Sequence, residues 1–369
     1  RDTDRSRGLG DVYKRQETYE RRSDLLKKLT ALLLALAAAA SLAACQGGQE
    51  PNGTNGNTHE ASSQKGSSIE TDSEAESASA SGGAYYSFQD ASGEQITLRE
   101  KPQRVAVLFS SFADVWETAG GRVDITVGES VERGFAPEDV LLVDDGAGKT
   151  INQELLLSYE PDFVICSADL EEQVKTAEFL RKQGVPAAVF HVEEFQEYLD
   201  MLKICTDITG DQEAYETYGT QVREEVEAVL ASVPETGEAE QKRILFIRAG
   251  SKYSATKAKT AENNFVCVML KELGTYNIAE NAPVLLDGLS QEEILMENPD
   301  YIFISTMGKE EAARAYMDSV LQEEAWQHLD AVKEGRYAYL PKELFQFKPN
   351  KRWGEAYRYL ADLLYPKES

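Results

Sequence analysis

Cations are in short supply in this 369-residue chain: 38 Lys and Arg face 64 Asp and Glu, a formal net charge of −26. A nucleic-acid binder needs a basic surface to displace counterions from phosphate, so that class is excluded, and the same repulsion excludes broad adhesion to anionic lipid. Histidine is scarcer still. His59, His191 and His328 stand far apart in unrelated contexts, and no His, Asp and Glu converge at the spacings of a direct metal site. The four cysteines, Cys45, Cys166, Cys205 and Cys267, form no C-x-x-C pair, which excludes a dithiol redox motif. The last three are expected buried and unpaired, with one disulfide left open. No apolar run reaches the ~20 residues of a membrane span. No Ser/His/Asp order or paired carboxylates stand out either, so neither an enzyme nor a resident cofactor is expected.

What the amino end does contain is a sequence of addresses. Residues 1–16, RDTDRSRGLGDVYKRQ, lack apolar periodicity, and DVYKRQ resembles a translated sequencing adapter. That stretch is set aside as a sequencing or assembly artefact. In 17–45, Arg21, Arg22, Lys27 and Lys28 precede an Ala/Leu-rich run that ends in Leu42-Ala43-Ala44-Cys45. This is the pattern of an export signal closed by a lipobox, with Cys45 expected to be lipidated and to anchor the protein outside the cell membrane. Residues 46–84 are rich in Gly, Ser, Asn, Glu and Ala; they bury too little to offset ordering entropy and read as a flexible tether.

The rest alternates short apolar strands with amphipathic helices. VAVLF (105–109), DFVIC (162–166) and AAVFHV (187–192) are answered by RILFIR (243–248), DYIFIS (300–305) and YAYL (337–340). The fold class is α/β, two Rossmann-like lobes with central parallel sheets. The lobes are expected at 85–200 and 234–369, joined by a long connecting helix over 201–233 that carries a Gly-Asp break. A duplication supports two lobes. Glu154–Ile165 aligns with Glu292–Phe303, Pro161-Asp162 falling on Pro299-Asp300, and Arg104-Val105 aligns with Arg243-Ile244 at nearly the same spacing.

Lipobox, tether, the PQRVAVL opening, the paired L-x-x-x-x-P-D signatures and the helical connector together resemble the substrate-binding lipoproteins of ABC importers. Within these the type carrying iron-siderophore, haem or cobalamin is the most similar. The resemblance spans residues 86–366. It implies a monomeric, extracytoplasmic, lipid-anchored protein that captures a metal chelate and passes it to a dimeric permease with its ATPase. It also implies that Glu154 and Glu292, equivalent in the repeats, dock onto the permease, one from each lobe. Alternatives remain open within it: a cobalamin carrier, or a lipoprotein that stores or senses its ligand without a permease.

One motif invites another reading. DDGAGKTINQELL (144–156) suggests a phosphate loop, but the first glycine of a Walker sequence would fall at Val143, and Asp144 and Asp145 would repel phosphate. Thr150 and Gln153 instead predict a capping box. The resemblance places this loop beside the cleft, making Lys149 a candidate contact.

Ligands of such folds sit beyond the carboxyl ends of the strands. That rule nominates Phe109, Ser110, Ser167, Arg248, Tyr253, Lys259, Met307, Phe345, Phe347, Lys348 and Arg352. Residues 248–259 and 345–353 contain no Asp or Glu. Cations among aromatic faces suit an anionic, partly apolar guest such as a ferric siderophore or haem. Any metal is cargo within the guest.

Overall fold

The computed structural model describes residues 84–144, 150–234, 237 and 240–366, all within the unit Ser77–Ser369. Cys45 and Lys149, and with them the lipidation site and one candidate contact, lie outside the described residues.

A two-stranded antiparallel hairpin comes first, β1 (Tyr86–Gln89) and β2 (Gln95–Leu98). Phe88, Ile96 and Leu98 point inward, the period-two pattern of a half-covered pair. Asp90 holds it in place: one carboxylate oxygen accepts from the Ser92 and Glu94 N–H groups at 2.9 and 3.1 Å, the other from Val189 N–H at 2.9 Å and from Arg181.

The first lobe runs β3 (Val105–Val107), α1 (Ser110–Thr118), β4 (Ile125–Thr126), α2 (Gly128–Glu132), β5 (Leu141–Leu142), α3 (Gln153–Ser158), β6 (Phe163–Ser167), α4 (Glu171–Lys182) and β7 (Ala187–Phe190). Its sheet order is β5-β4-β3-β6-β7, every pair parallel. β3, β6 and β7 are buried at every residue, which is why they read as unbroken apolar runs. The expected Thr150–Gln153 capping box does not form. Asn152 caps α3, its side chain accepting from Leu155 N–H at 3.0 Å, and Gln153 donates sideways to Thr176 Oγ1 at 3.0 Å. Asn at the cap does the same electrostatic work as Thr.

The connecting stretch is not one helix. α5 (Phe195–Thr209) ends at Gly210, φ 83°, a left-handed stop that glycine alone adopts without cost. Asp211 then caps α6 (Gln212–Tyr215), which passes through a π-helical turn (Glu216–Thr220) into α7 (Gln221–Ala231).

The second lobe runs β8 (Lys242–Ala249), β9 (Lys257–Ala258), α8 (Phe265–Glu272), β10 (Thr275–Asn277), α9 (Val284–Asp287), α10 (Gln291–Glu297), β11 (Tyr301–Thr306), α11 (Glu310–Leu321), α12 (Asp330–Lys333), β12 (Tyr337–Tyr339), α13 (Lys342–Phe345) and α14 (Trp353–Leu364). The order β10-β8-β11-β12 is parallel, and β9 pairs antiparallel with the end of β8.

The duplicated signature performs one physical task in both lobes. Glu160 and Asn298, which precede the two prolines, turn left-handed at φ 50° and 39° and end α3 and α10. The following Asp then reaches the neighbouring strand. Asp162 accepts from Gln103 and Arg104 N–H at 2.7 and 3.0 Å, and its own N–H donates to Arg104 C=O at 3.0 Å. Asp300 accepts from Arg243 N–H at 2.8 Å and donates to Arg243 C=O at 2.7 Å. Each Asp thereby fixes the entry of its central strand.

A single apolar cluster joins both lobes through α5, α7, α8 and α14. Trp353 is fully buried there, 5.8 Å from the rings of Phe195 and Phe265. Just before it, Asn350 bridges to the first lobe. Its amide donates to Ser111 C=O at 2.7 Å and Asp114 Oδ2 at 2.8 Å, from a backbone at φ 50°. Alanine at Asn350 removes both bonds, orphans buried acceptors and places a Cβ without polar compensation in left-handed space. Asn350→Ala should cost about 2 kcal/mol, read as a lowered denaturant midpoint with unchanged slope.

Candidate functional site

Residues just past β3, β6 and β7 meet residues just past β12 across the lobes, Ser111 with Asn350 and Asp169 and Glu193 with Lys348. On the first lobe, Ser110 and Ser111 open α1 and are buried. Neither is free for a guest. Both hydroxyls accept from Arg133 Nη1, at 2.8 and 3.0 Å, and Ser110 donates to Glu129. Arg133 follows α2 and lies between two rings, 3.7 Å from the Phe347 centroid and 4.6 Å from that of Phe135. It thus crosses from the first lobe onto an aromatic of the second. Burial weakens its hold on the proton, and Glu129, Asp114 and Glu343 offset part of that loss. Arg133 was not among the residues the sequence nominated. Phe109, half-buried, packs edge-on to Phe112 at 4.9 Å.

Ser167 corrects an expectation. It is wholly buried; its hydroxyl accepts from Asp169 N–H at 3.1 Å and its N–H donates to Gln173 Oε1 at 2.8 Å. It shapes the turn after β6 rather than lining a cleft. Phe345 is corrected likewise: 1% exposed, it packs on Tyr359 at 5.5 Å, while Phe347 two residues later stays half-buried between Arg133 and Lys342. Arg352 is exposed and spends its guanidinium on Glu355 at 2.7 and 2.8 Å within the start of α14. Tyr253 is 59% exposed, on the rim near Gly288. Met307 is half-buried and continues the β11–β8 ladder, its N–H donating to Ala249 C=O at 2.8 Å.

Lys348 is 8% exposed and acts as a strut between lobes. Its ammonium meets Glu193 at 2.5 Å and Asp169 at 3.5 Å, above the Phe265 ring at 5.2 Å. Asp169 also faces His191 Nε2 at 3.7 Å, and His191 Nδ1 contacts Glu197 at 2.7 Å.

The cations of the second lobe behave differently. Arg248 on β8 stands opposite Lys257 on β9, and Lys259 follows two residues on. Cross-strand partners and i, i+2 neighbours share a face, so all three project from the face that carries Phe246 into the joint core. None of the three forms an ion pair among the described residues. Burial weakens the Arg248 proton, with Glu193 as the opposing charge. Burial, then Arg248, pushes Lys259 below its ordinary value of 10.5. Like charges gathered out of water in an acidic protein are costly unless an anion joins them.

A hollow of about 430 Å³ lies elsewhere, at the amino ends of the first-lobe strands between Arg104, Arg122, Asp124 and Tyr159. Its cations are already engaged, Arg104 with Tyr159 C=O and Arg122 with Asp124. It is not where such folds hold ligands.

The profile of the periplasmic binding protein family matches residues 105–344. The chain belongs to that family. Its members are solute-binding proteins that take up small molecules and work with ABC transporters. No curated protein matches the sequence. Among solved structures, Staphylococcus aureus IsdE complexed with haem is similar with TM-score 0.59 and 14% identity, over 71% of this chain and 98% of that one. Staphylococcus aureus SirA complexed with staphyloferrin B gives TM-score 0.55 and 18% identity, over 76% and 97%. The haem-binding RhuT from Roseiflexus gives 0.57 and 20%, over 71% and 98%. At these identities the likeness concerns the fold. No helix of the described residues is long and apolar enough to cross a membrane.

Replacing Lys348 by methionine keeps its stem but leaves two facing carboxylates without their cation. Those carboxylates retain side-chain exposures of 23% and 26%, so the cost should be about 2 kcal/mol, below that of a fully buried pair. Arg352→Ala, which breaks an exposed i, i+3 pair, should cost under about 0.5 kcal/mol. Urea unfolding of the two variants side by side checks the contrast.

Proposed function

We propose that this protein is an extracytoplasmic, lipid-anchored solute receptor that takes an anionic metal chelate or haem between its lobes and delivers it to an ABC permease. The observation that carries this reading is the trio Arg248, Lys257 and Lys259: half-buried, on one sheet face, and without ion-pair partners among the described residues. An anionic guest supplies the missing charge. Met307, whose N–H donates to the carbonyl of Ala249 next to Arg248, offers apolar surface beside it. Haem and staphyloferrin B are the guests in two of the similar structures, which fits a cleft of this character.

Delivery has its own supporting geometry. Glu154 and Glu292 are both exposed in the first turns of α3 and α10, at corresponding places in the duplicated lobes. Two equivalent carboxylates match the symmetry of a dimeric permease.

Two measurements test these parts separately. Arg248→Ala with Lys259→Ala should weaken binding of ferric siderophores or haem by about 100-fold, two lost charge-assisted contacts at about tenfold each, measured by tryptophan quenching. Unchanged affinity, or tight binding of cobalamin alone, would favour a neutral guest. Charge reversal at Glu154 and Glu292 should abolish uptake in cells while leaving ligand affinity intact. Uptake that survives, or affinity that falls, contradicts docking through these residues.

A further inference from the structure

The strand pair that carries Arg248 and Lys257 also touches the segment leading into α10, the helix of Glu292. β8 and β9 are joined by the loop Gly250–Thr256, which is clipped upon itself. Thr256, wholly buried, accepts from Gly250 N–H at 3.1 Å and donates to Lys252 C=O at 3.0 Å. The clip needs the glycine, because a Cβ at Gly250 would stand 2.5 Å from that of Ala255. A loop closed in this way moves with its strands as one piece.

Its tip meets the approach to α10. β9 packs against α9, and Ala258, Leu285, Leu289 and Ile294 lie buried in one apolar cluster. That packing brings the Tyr253 phenol onto Gly288, where a Cβ would stand 2.5 Å from the phenol oxygen. Only Gly288, Leu289 and Ser290 separate α9 from α10. Gly288 C=O accepts from Ser290 N–H at 3.2 Å, and the Ser290 side chain caps α10 by accepting from Glu293 N–H. Glu292 stands in this capped first turn.

The hairpin has a physical reason to respond to a guest. Arg248 and Lys257 are cross-strand partners, and like charges set opposite one another loosen a strand pair. β9 is Lys257–Ala258 alone, so few ladder bonds resist the repulsion. An anion seated among these cations removes it and tightens the pair, and the tip follows.

We propose that Tyr253, through its seat on Gly288, couples guest occupancy at the β8–β9 hairpin to α10. Glu292 is then held more firmly in a loaded receptor than in an empty one, and the permease is offered a difference between the two. This rests on the proposed guest site and on docking through Glu292, and adds the link between them.

The test is hydrogen exchange of the Ile294 and Asn298 amides, which bond to Ser290 C=O at 3.0 Å and Ile294 C=O at 2.9 Å. It uses the full chain with and without saturating ferric tris-catecholate, and haem in parallel. The guest should slow exchange about fivefold in the wild type, the low end of coupling between linked sites, and under about twofold in Gly288→Ala. The variant keeps its backbone, since Gly288 is extended at φ 175°. The atoms nearest the new methyl all belong to Tyr253, an exposed side chain with room to swing away. Equal exchange in the wild type with guest bound would overturn the proposal. Slowing that persists in Gly288→Ala would overturn it too, being the general stabilisation that any ligand confers on a folded chain. Failure of the parent readings looks different. If neither chelate quenches tryptophan fluorescence, the guest site is wrong and the coupling falls with it. If uptake survives charge reversal at Glu154 and Glu292, the permease does not read α10, whatever the exchange shows.

Discussion

The seating of the last helix, α14, on the helix that leads into the second lobe, α7, is the contact on which the rest of the molecule depends. α14 turns Trp353, Ala356, Tyr357, Leu360, Ala361 and Leu364 to the interior, the stripe of an amphipathic helix read every three or four residues. Those side chains enter the same cluster as Phe112 and Phe190 of the first lobe and Phe246 and Phe303 of the second. They share that interior with residues of α5, α7 and α8. With them, moving one lobe against the other means shearing a close-packed interior, which resists deformation. On that frame Arg133 and Lys348 reach from one lobe to the other.

Electrostatics follows from that frame. A chain with so large an excess of acid spreads most of its negative charge over exposed helix surfaces, where water screens it. At the lobe junction cations gather among acids. The two kinds of cation there have different fates. Arg133 and Lys348 are satisfied by serines, aromatic faces and carboxylates of the opposite lobe. Arg248, Lys257 and Lys259 are held near one another by the geometry of an antiparallel strand pair. The first kind stabilises the architecture, whereas the second leaves an attraction to be used.

The sequence carried the architecture well because its signals are local. Buried strands appear as apolar runs, and the repeated Pro-Asp pair marks a helix stop and a strand clasp within a few residues. The short strands β4, β9 and β10 and the opening hairpin escaped notice, being brief or only half apolar. At the site, the strand-end rule found Arg248 and Lys259 because strand ends are visible in the chain itself. It also selected Ser167 and Phe345, since it cannot tell a residue pointing into the cleft from one turned into the core. Arg352 could have been set aside from sequence, because Glu355 lies three residues on along a helix. Arg133 could not have been found, because its meaning comes from Phe347, a contact that exists only once the lobes are assembled.

Cys166, Cys205 and Cys267 are all buried thiols, and burial pushes each of them well above the ordinary thiol range, to about 12 for Cys166. Thiolate is the species that attacks disulfides and electrophiles, so these sulfurs are chemically quiet while the molecule is folded. Its two-lobed body can mature in an oxidising or a reducing compartment alike. It needs no disulfide-forming machinery, and mispairing threatens only chains that have not yet closed their interior.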